Sequence, residues 1–295
     1  MKKLSITVIT YNQEHFIRET LDSILNQKIS YDYEIVIGDD ASTDNTPKIL
    51  QEYKYLYPDK IKLILRTNNL GHTGNYIETT KEASGEYIAH LDGDDLMLDT
   101  KLEKQIQFLD KNQTYSMVHH LVYFIDKAGK ITGKTKAKSA TVGNINNIIK
   151  QNHIINSSNM FRKSSLDKHF YNIPHTLMLH DKLAHMIKTQ YGKVGLIPEY
   201  LGKYRVYSES IFKSASSYKL FNAQLYTMEY AKNLKGANSS AINKGKSILY
   251  LARVRSNYKK KNFKRARYYL KMARKSVSYS YDTCRFALKL LLKSS

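Results

Sequence analysis

Glu86-Tyr87-Ile88-Ala89-His90-Leu91-Asp92-Gly93-Asp94-Asp95 is a short apolar run that ends in three carboxylates within four positions. Tyr87, Ile88, Ala89 and Leu91 have the composition of a buried strand, bounded by Gly85 and Gly93. A strand tipped with acids delivers negative charge to the carboxyl edge of a sheet, which in open α/β sheets is where ligands bind. Three like charges this close repel, and a divalent cation with oxygen ligands is the usual compensation. The competing interpretation is an acidic surface turn in which Asp95 or Asp99 caps the next helix.

The same rhythm surrounds this stretch. Leu4, Ile6, Val8 and Ile9 form a strand ending at Thr10-Tyr11-Asn12, with Asn12 placed to cap a helix carrying Ile17, Leu21, Ile24 and Leu25 at helical spacing. A second strand over 33–37 runs into Gly38-Asp39-Asp40, and its helix presents Ile49, Leu50 and Tyr53. A third over 61–65 leads to Asn68-Asn69-Leu70-Gly71 and a polar helix over 73–83. The acid-tipped strand is followed by a helix over 101–110 with Leu102, Ile106 and Leu109 inward. Strand–helix repeated four times predicts an α/β fold with a mostly parallel, doubly wound, Rossmann-like sheet flanked by helices. Three of the strands end in polar or acidic residues, so distant side chains converge on one sheet edge. Neither G-x-G-x-x-G nor G-x-x-x-x-G-K-[ST] occurs, which removes support for a dinucleotide fold or a P-loop NTPase.

Charge divides the chain. Its net charge is +21, but residues 1–213 hold 28 basic and 24 acidic residues (net +4), whereas 214–295 hold 19 and 2 (net +17). A nearly neutral domain over 1–213 is therefore followed by a basic extension over 214–295. The single cysteine, Cys284, excludes an intramolecular disulfide and suits a reducing compartment. Met1-Lys2-Lys3 and the strand after it do not fit a signal peptide, and no apolar run approaches the roughly 20 residues of a membrane-spanning helix.

After residue 112 the pattern changes. A long aromatic strand over 115–125, a turn at Asp126–Gly129 and a return over 130–132 precede a basic stretch, 133–141, that is expected to be a mobile loop. A short helix over 144–151, a strand over 157–161, a capped helix from Ser164, a helix headed by His180-Asp181, and strands over 194–197 and 201–206 complete the domain. Irregular β structure appended to a parallel sheet is expected to build the second half of a cleft, 113–213, beside the first, 1–112. The extension is expected to be helical, with Tyr218, Leu220, Phe221, Leu225, Met228 and Tyr230 on one apolar face and Ile248, Leu249, Leu251, Ala252 and Val254 on another.

Val8-Ile9-Thr10-Tyr11-Asn12, Asp39 to Thr46, Asn68-Asn69-Leu70-Gly71, Gly85 to Asp95, His180-Asp181 and Pro198 to Val206 stand in a specific order. In that order the first 213 or so residues resemble the family 2 glycosyltransferases, inverting enzymes with the GT-A type nucleotide-diphospho-sugar transferase fold. The resemblance implies that Tyr11 stacks on the donor base and Asp40 hydrogen-bonds it. It also implies that Asp92 reaches the nucleoside and Asp94, in the D-x-D motif, binds the metal bridging the diphosphate. Asp181 would be the general base. Thr10, Asn69, Gly71, Gly93 and Arg205 complete the expected donor-binding set, Arg205 because its fork matches phosphate oxygens. Two departures stand out: His180 replaces the Glu of the family's usual Glu-Asp pair, and Tyr207 stands where many relatives have a His.

The chemistry asks for the same parts. A departing nucleoside diphosphate needs its developing charge neutralised, which Mn²⁺ or Mg²⁺ does, and the attacking hydroxyl needs a base. The expected function is metal-dependent transfer from a nucleotide sugar, a UDP-sugar by preference. The acceptor would be a glycan or lipid-linked saccharide in surface polysaccharide or lipopolysaccharide assembly. A non-catalytic nucleotide-sugar or glycan-binding module is the alternative, whereas an aspartate-nucleophile phosphatase would carry its D-x-D near the N-terminal strand. Against these roles, Asp39 and Asp44 read as turn and helix caps, Tyr11 as a packed aromatic, and Asp181 as an ordinary N-cap. The scattered histidines His72, His90, His119, His120 and His185 read as ordinary. The basic extension is either a solvated helical hairpin or a surface for anionic membrane, and no nucleic-acid module is present. The latter places the protein in the cytoplasm, peripheral on the inner face of the cytoplasmic membrane.

Overall fold

In the computed structural model, which describes residues 2–137, 141–178, 181–207 and 217–276, the four strand–helix units up to residue 112 are all present. They are β1 (Leu4–Thr10), α1 (Ile17–Leu25), β2 (Tyr33–Asp39), α2 (Thr46–Leu56), β3 (Ile61–Leu65), α3 (Gly71–Lys81), β4 (Tyr87–Asp92) and α4 (Lys101–Lys111). A two-residue strand, β5 (Leu96–Met97), lies between β4 and α4. β2 and β4 flank β1 in parallel, and β3 continues the sheet beyond β2.

The sheet does not stay parallel. β6 (Tyr115–Ile125) and β7 (Ile131–Lys134) form the expected hairpin, and β8 (Met160–Arg162) and β9 (Lys193–Arg205) extend the sheet in the order β3-β2-β1-β4-β8-β6-β9-β5. β8 runs antiparallel to both β4 and β6, so the architecture is a mixed, mostly parallel sheet. Residues 194–206, expected as two strands, form one long strand that absorbs Pro198 through register shifts against β6. Likewise 156–158 is a 3-10 turn preceding a short strand. The helix expected from Ser164 starts instead at Lys168 (α6, Lys168–Tyr171), capped by Asp167 through the N–H groups of His169 and Phe170. α5 (Ile145–Lys150), capped by Asn144, and α7 (Asp181–Lys188) fall where the periodicity puts them.

Both sheet faces are buried. Leu4, Ile6 and Val8 pack with α1, α2 and α4, while Ile9 and Ile88 face α3, α5 and α7. α3 is the unusual layer, because Thr73, Asn75, Thr79 and Thr80 are buried in it. The Asn75 Nδ2 donates to the Gly38 carbonyl at 2.8 Å, and the helix lies so close that a Cβ on Gly38 would overlap Thr79 Oγ1 and come within 2.6 Å of Asn75 Oδ1. Gly38→Ala is therefore expected to destabilise the protein by about 1–3 kcal/mol or more, read as a lowered thermal midpoint.

The extension forms α8 (Ser217–Tyr230), α9 (Ser239–Lys259) and α10 (Phe263–Ser276) among the described residues. It is built into the domain: Ala223, Met228, Leu234, Ala241 and Ile242 share a core with Ile145, Ile148, Ile149 and Leu183. Gly245 lets α9 rest on α5, since a Cβ there would sit 2.8 Å from the Ile149 carbonyl oxygen. α10 packs on α9 through Leu251, Val254, Ala266, Leu270 and Ala273. Tyr218, Ile248 and Ala252, expected on apolar faces, are instead exposed, because the buried stripe runs through Phe221, Met228, Leu251 and Val254. His180, Cys284 and the segment 277–295 lie outside the described residues.

Candidate active site

The carboxyl ends of β1, β2 and β4 stop level. Thr10 pairs with Asp39, and Ile9 lies opposite both Gly38 and Asp92, so Tyr11, Asp40 and Asp92 to Asp94 leave the sheet at one edge. Tyr11 is 48% exposed there. Asn12, at φ +52°, accepts the Thr43 N–H on its Oδ1 at 2.8 Å, tying the loop after β2 to the end of β1. This commitment explains why Asn12 does not make the expected cap: α1 begins after Phe16 with no side-chain cap. Asp39 accepts from the Ser42 N–H (3.0 Å) and Asp44 from the N–H groups of Thr46 and Glu14 (2.9 and 3.1 Å), so both hold turns.

Asp40, Asn69 and Gly71 make one joint. Buried Asp40 accepts the Leu70 N–H at 2.8 Å, and its carbonyl accepts Asn69 Nδ2 at 3.0 Å. Asn69 Oδ1 in turn accepts the N–H of Gly71, whose φ of +76° favours glycine. The first turn of α3 then places His72 beside Asp92, Nε2 to Oδ1 at 3.4 Å. From below, His90 Nε2 donates to the same oxygen at 3.3 Å, which leaves its Nδ1 to accept from Thr7 at 3.2 Å. Burial pushes the Asp92 carboxyl up, but the hydrogen bonds from His72 and His90 outweigh it and hold Asp92 well below the usual range. Burial opposes the charged form of His72, yet its bond to Asp92 and the charges of Asp92, Asp181 and Asp94 raise it.

Asp94 is held differently. Its Oδ2 accepts the Tyr207 hydroxyl at 2.9 Å, while burial and then the charge of Asp92 push its carboxyl up to about 6. Asp95 lies fully beneath, accepting the Arg205 N–H at 2.8 Å and the Ser157 hydroxyl, so it supports the loop. Arg205 is 3% exposed, with Nε on the Asp94 carbonyl (2.8 Å), Nη1 on the carbonyls of Asp126 and Lys127, and Nη2 on Glu19 (2.7 Å). Its fork is turned into the protein, so the phosphate contact expected of Arg205 is not available in this arrangement. The guanidinium instead locks the end of β9 under the acidic loop. Thr10 is also buried, and a Cβ on Gly93 would overlap Gln13 Oε1 and sit 2.9 Å from Thr10 Cβ; these two shape the loop by close packing.

Asp181 opens α7 on the far side. With Asp92 it lines a cavity of about 570 Å³ whose walls also include His120, Asn156 and Tyr204. Burial pushes the Asp181 carboxyl up to about 6; His72 pulls it down and Asp92 pushes it further up. A carboxylate with that value is ionised at neutral pH and still basic enough to take a proton. Among the described residues no group of three or more His, Cys, Asp or Glu could hold a metal alone. The Asp92–Asp94 pair does fit a cation shared with a diphosphate, because such ions take one or two carboxylates and complete their shell with phosphate oxygens and water. Burial first, and then the charge of Asp92, raise the Asp94 carboxyl, and a cation would relieve the second of these.

The family model described as glycosyl transferase family 2 matches residues 5–170. The chain belongs to glycosyl transferase family 2. It is 33% identical over 214 residues to an uncharacterised Mycobacterium tuberculosis protein, covering 72% of this chain and 61% of that protein. It is 40% identical over 114 residues to the poly(ribitol-phosphate) beta-glucosyltransferase of Bacillus spizizenii, covering 38% of this chain and 18% of that one. Among solved structures, S. aureus TarS 1–349 in complex with UDP-GlcNAc superposes with a TM-score of 0.69 at 17% identity, over 92% of this chain and 81% of that one. The fold is thus the GT-A type nucleotide-sugar transferase fold.

Several residues of this family 2 site escape the motifs. His90 has a usable signal, because it sits two positions before Asp92 on β4 and so shares its face. His72, Ser157 and Glu19 carry none, since their meeting with Asp92, Asp95 and Arg205 is tertiary. Lys101 is likewise hidden: fully buried, it donates to the Ser157 carbonyl at 2.7 Å, and burial, opposed by Asp95, pushes it down to about 7. His72→Gln removes an imidazole whose protonated form lowers Asp181. The Asp181 carboxyl is expected to titrate at higher pH in the variant, measured by carboxyl-detected NMR.

Proposed function

We propose that this family 2 protein is an inverting, metal-dependent glycosyltransferase that moves a sugar from a nucleotide sugar, a UDP-sugar by preference, to a hydroxyl of a glycan or lipid-linked acceptor. The observation that carries it is the meeting of Asp181, at about 6, and Asp92 on one cavity, with Asp94 leaving the sheet at the same edge as Asp92. Tyr11, with Asp40 beside it, offers a stacking surface and a carboxylate for the base. Asp92, kept ionised, would face the nucleoside, and Asn69 and Gly71 hold the Asp40 loop in shape. Mn²⁺ or Mg²⁺ bound through Asp94 would supply Lewis-acid neutralisation of the leaving diphosphate. Asp181 accepts the proton of the acceptor hydroxyl as the oxygen attacks the anomeric carbon opposite the leaving group. Inversion follows from that single displacement.

The UDP-GlcNAc held by the TarS structure supports the donor class, and the poly(ribitol-phosphate) beta-glucosyltransferase relative supports a polymeric surface acceptor. The test is nucleotide release from a panel of UDP-, GDP- and dTDP-sugars with Mn²⁺ or Mg²⁺; no donor binding and no release across the panel would overturn the proposal.

We also read the extension as an attachment to the cytoplasmic face of an anionic membrane. Among the described residues no helix is long and apolar enough to cross one. The end of α9, the turn after it and α10 expose Lys259, Lys260, Lys261, Lys264, Arg265, Arg267, Lys271, Arg274 and Lys275 together with Tyr268. Near an anionic surface each such cation contributes about 1 kcal/mol. Binding to phosphatidylglycerol vesicles at low salt is expected to fall sharply when Lys264, Arg265, Arg267 and Lys271 are replaced by Gln. Unchanged sedimentation with vesicles would sink this attachment.

A further inference from the structure

The cavity behind Asp181 has polar atoms that the protein itself does not satisfy. His120, on β6, is 3% exposed, and its Nδ1 lies 2.8 Å from the Leu121 carbonyl oxygen. A carbonyl only accepts, so Nδ1 carries the proton and Nε2 presents a lone pair. That Nε2 is buried and has no hydrogen-bond partner among the described residues. Burial keeps the ring neutral, which preserves the lone pair at working pH. Gly202 on β9 lets this ring pack close against the strand: a Cβ there would sit 3.0 Å from His120 Cε1.

Asn156 supplies the opposite polarity. It is 5% exposed, and its amide orientation is fixed because Asn159 Nδ2 donates both to the Asn156 carbonyl (2.5 Å) and to Asn156 Oδ1 (3.0 Å). Its Nδ2 is thereby turned away from Asn159, and it too is buried without a partner among the described residues. Both residues line the same cavity as Asp92 and Asp181. Native proteins rarely leave buried donors and acceptors unmatched, and exceptions of this kind point to a ligand or a function. A neutral acceptor and a neutral donor on residues lining one cavity match groups that donate and accept together, which is what hydroxyls do.

We propose that His120 and Asn156 are the acceptor-recognition pair of this enzyme, His120 Nε2 accepting from, and Asn156 Nδ2 donating to, hydroxyls of a sugar or polyol acceptor. The proposal rests on the transferase function above, with Asp181 as the base lining the same cavity. It assigns the pair to acceptor specificity, with no part in donor binding.

The test uses the full chain and its variants His120→Phe and Asn156→Asp, which respectively remove the lone pair and convert the donor to an acceptor while keeping the Asn159 contact. UDP binding is measured first by calorimetry. The UDP-loaded proteins are then titrated with methyl β-glucoside, methyl N-acetyl-β-glucosaminide, ribitol and glycerol by ligand-observed NMR. The wild type is expected to bind at least one probe, and each variant to bind it at least about tenfold more weakly, with UDP affinity and thermal midpoint unchanged. UDP-loaded wild type that binds none of the probes overturns the assignment, as does unchanged probe binding in both variants. UDP affinity that falls in step with probe affinity also overturns it, by moving the pair to the donor half. Wild type that neither binds UDP nor releases nucleotide from any donor removes the transferase function itself, and this assignment with it.

Discussion

Asp181→Asn is expected to lower the rate of sugar transfer about 10²–10⁴-fold, the usual range for removing a positioned general base, while UDP binding stays unchanged. The amide keeps the size and place of the carboxylate at the start of α7 but cannot take a proton. The pH dependence is a second signature. The wild-type rate should rise with pH through about 6, where Asp181 ionises, and the residual rate of the variant should lack that limb. Stability should move the opposite way. A carboxyl raised from 3.8 to about 6 binds more protons in the folded than in the unfolded chain across that window, so folding stability falls as pH rises through it. Removing the charge is therefore expected to stabilise the metal-free protein at pH 7.5 by on the order of 1–3 kcal/mol, and the gain should disappear below about pH 4. A variant that gains stability and loses transfer separates a catalytic carboxylate from a helix cap, whose loss would lower stability. Full transfer by Asp181→Asn would sink the base assignment.

The donor half of the fold is legible because each of its strands is short, apolar and closed by a polar loop, and each helix has a clean inward face. Tyr11, Asp40 and Asp92 to Asp94 could be placed on one edge from strand ends alone. The second half resists for a definite reason. β8 is three residues long, β5 is two, and β9 continues through Pro198, so their identity as strands comes from pairing with β4 and β6 and not from local pattern. The helix expected from Ser164 fails similarly, because Asp167 is the better cap by geometry. Arg205 is the instructive residue. Its guanidinium suits phosphate on paper, yet Glu19, Asp126 and Lys127, distant in sequence, claim its donors. His72 shows the converse, since nothing in its neighbourhood announces that α3 will deliver it to both Asp92 and Asp181. The exposed basic face of α10 was visible in composition, but the depth at which α8 and α9 enter the domain core was not.

Asp94→Asn is expected to remove metal-stimulated transfer, with a loss on the order of 10²–10³-fold or more, because a metal held there would stabilise the charge on the departing diphosphate by several kcal/mol. The substitution is close to silent structurally. An Asn Oδ1 can still accept the Tyr207 hydroxyl, and the Asp94 backbone carbonyl that receives Arg205 Nε is untouched. What disappears is the negative charge that burial and Asp92 hold at about 6 and that a cation would relieve. Calorimetry with Mn²⁺ in the presence of UDP gives a readout apart from turnover: the wild type should bind the pair more tightly than UDP alone, and the variant should show little such gain. Asp95→Asn serves as the contrast. Asp95 touches no solvent and joins the Arg205 N–H to Ser157, so its replacement should lower the thermal midpoint while a folded fraction retains the Mn²⁺ response. If instead Asp94→Asn keeps its Mn²⁺-dependent UDP affinity, the cation is held by other groups, and the acidic tip of β4 would be left with only the structural part that Asp95 plays.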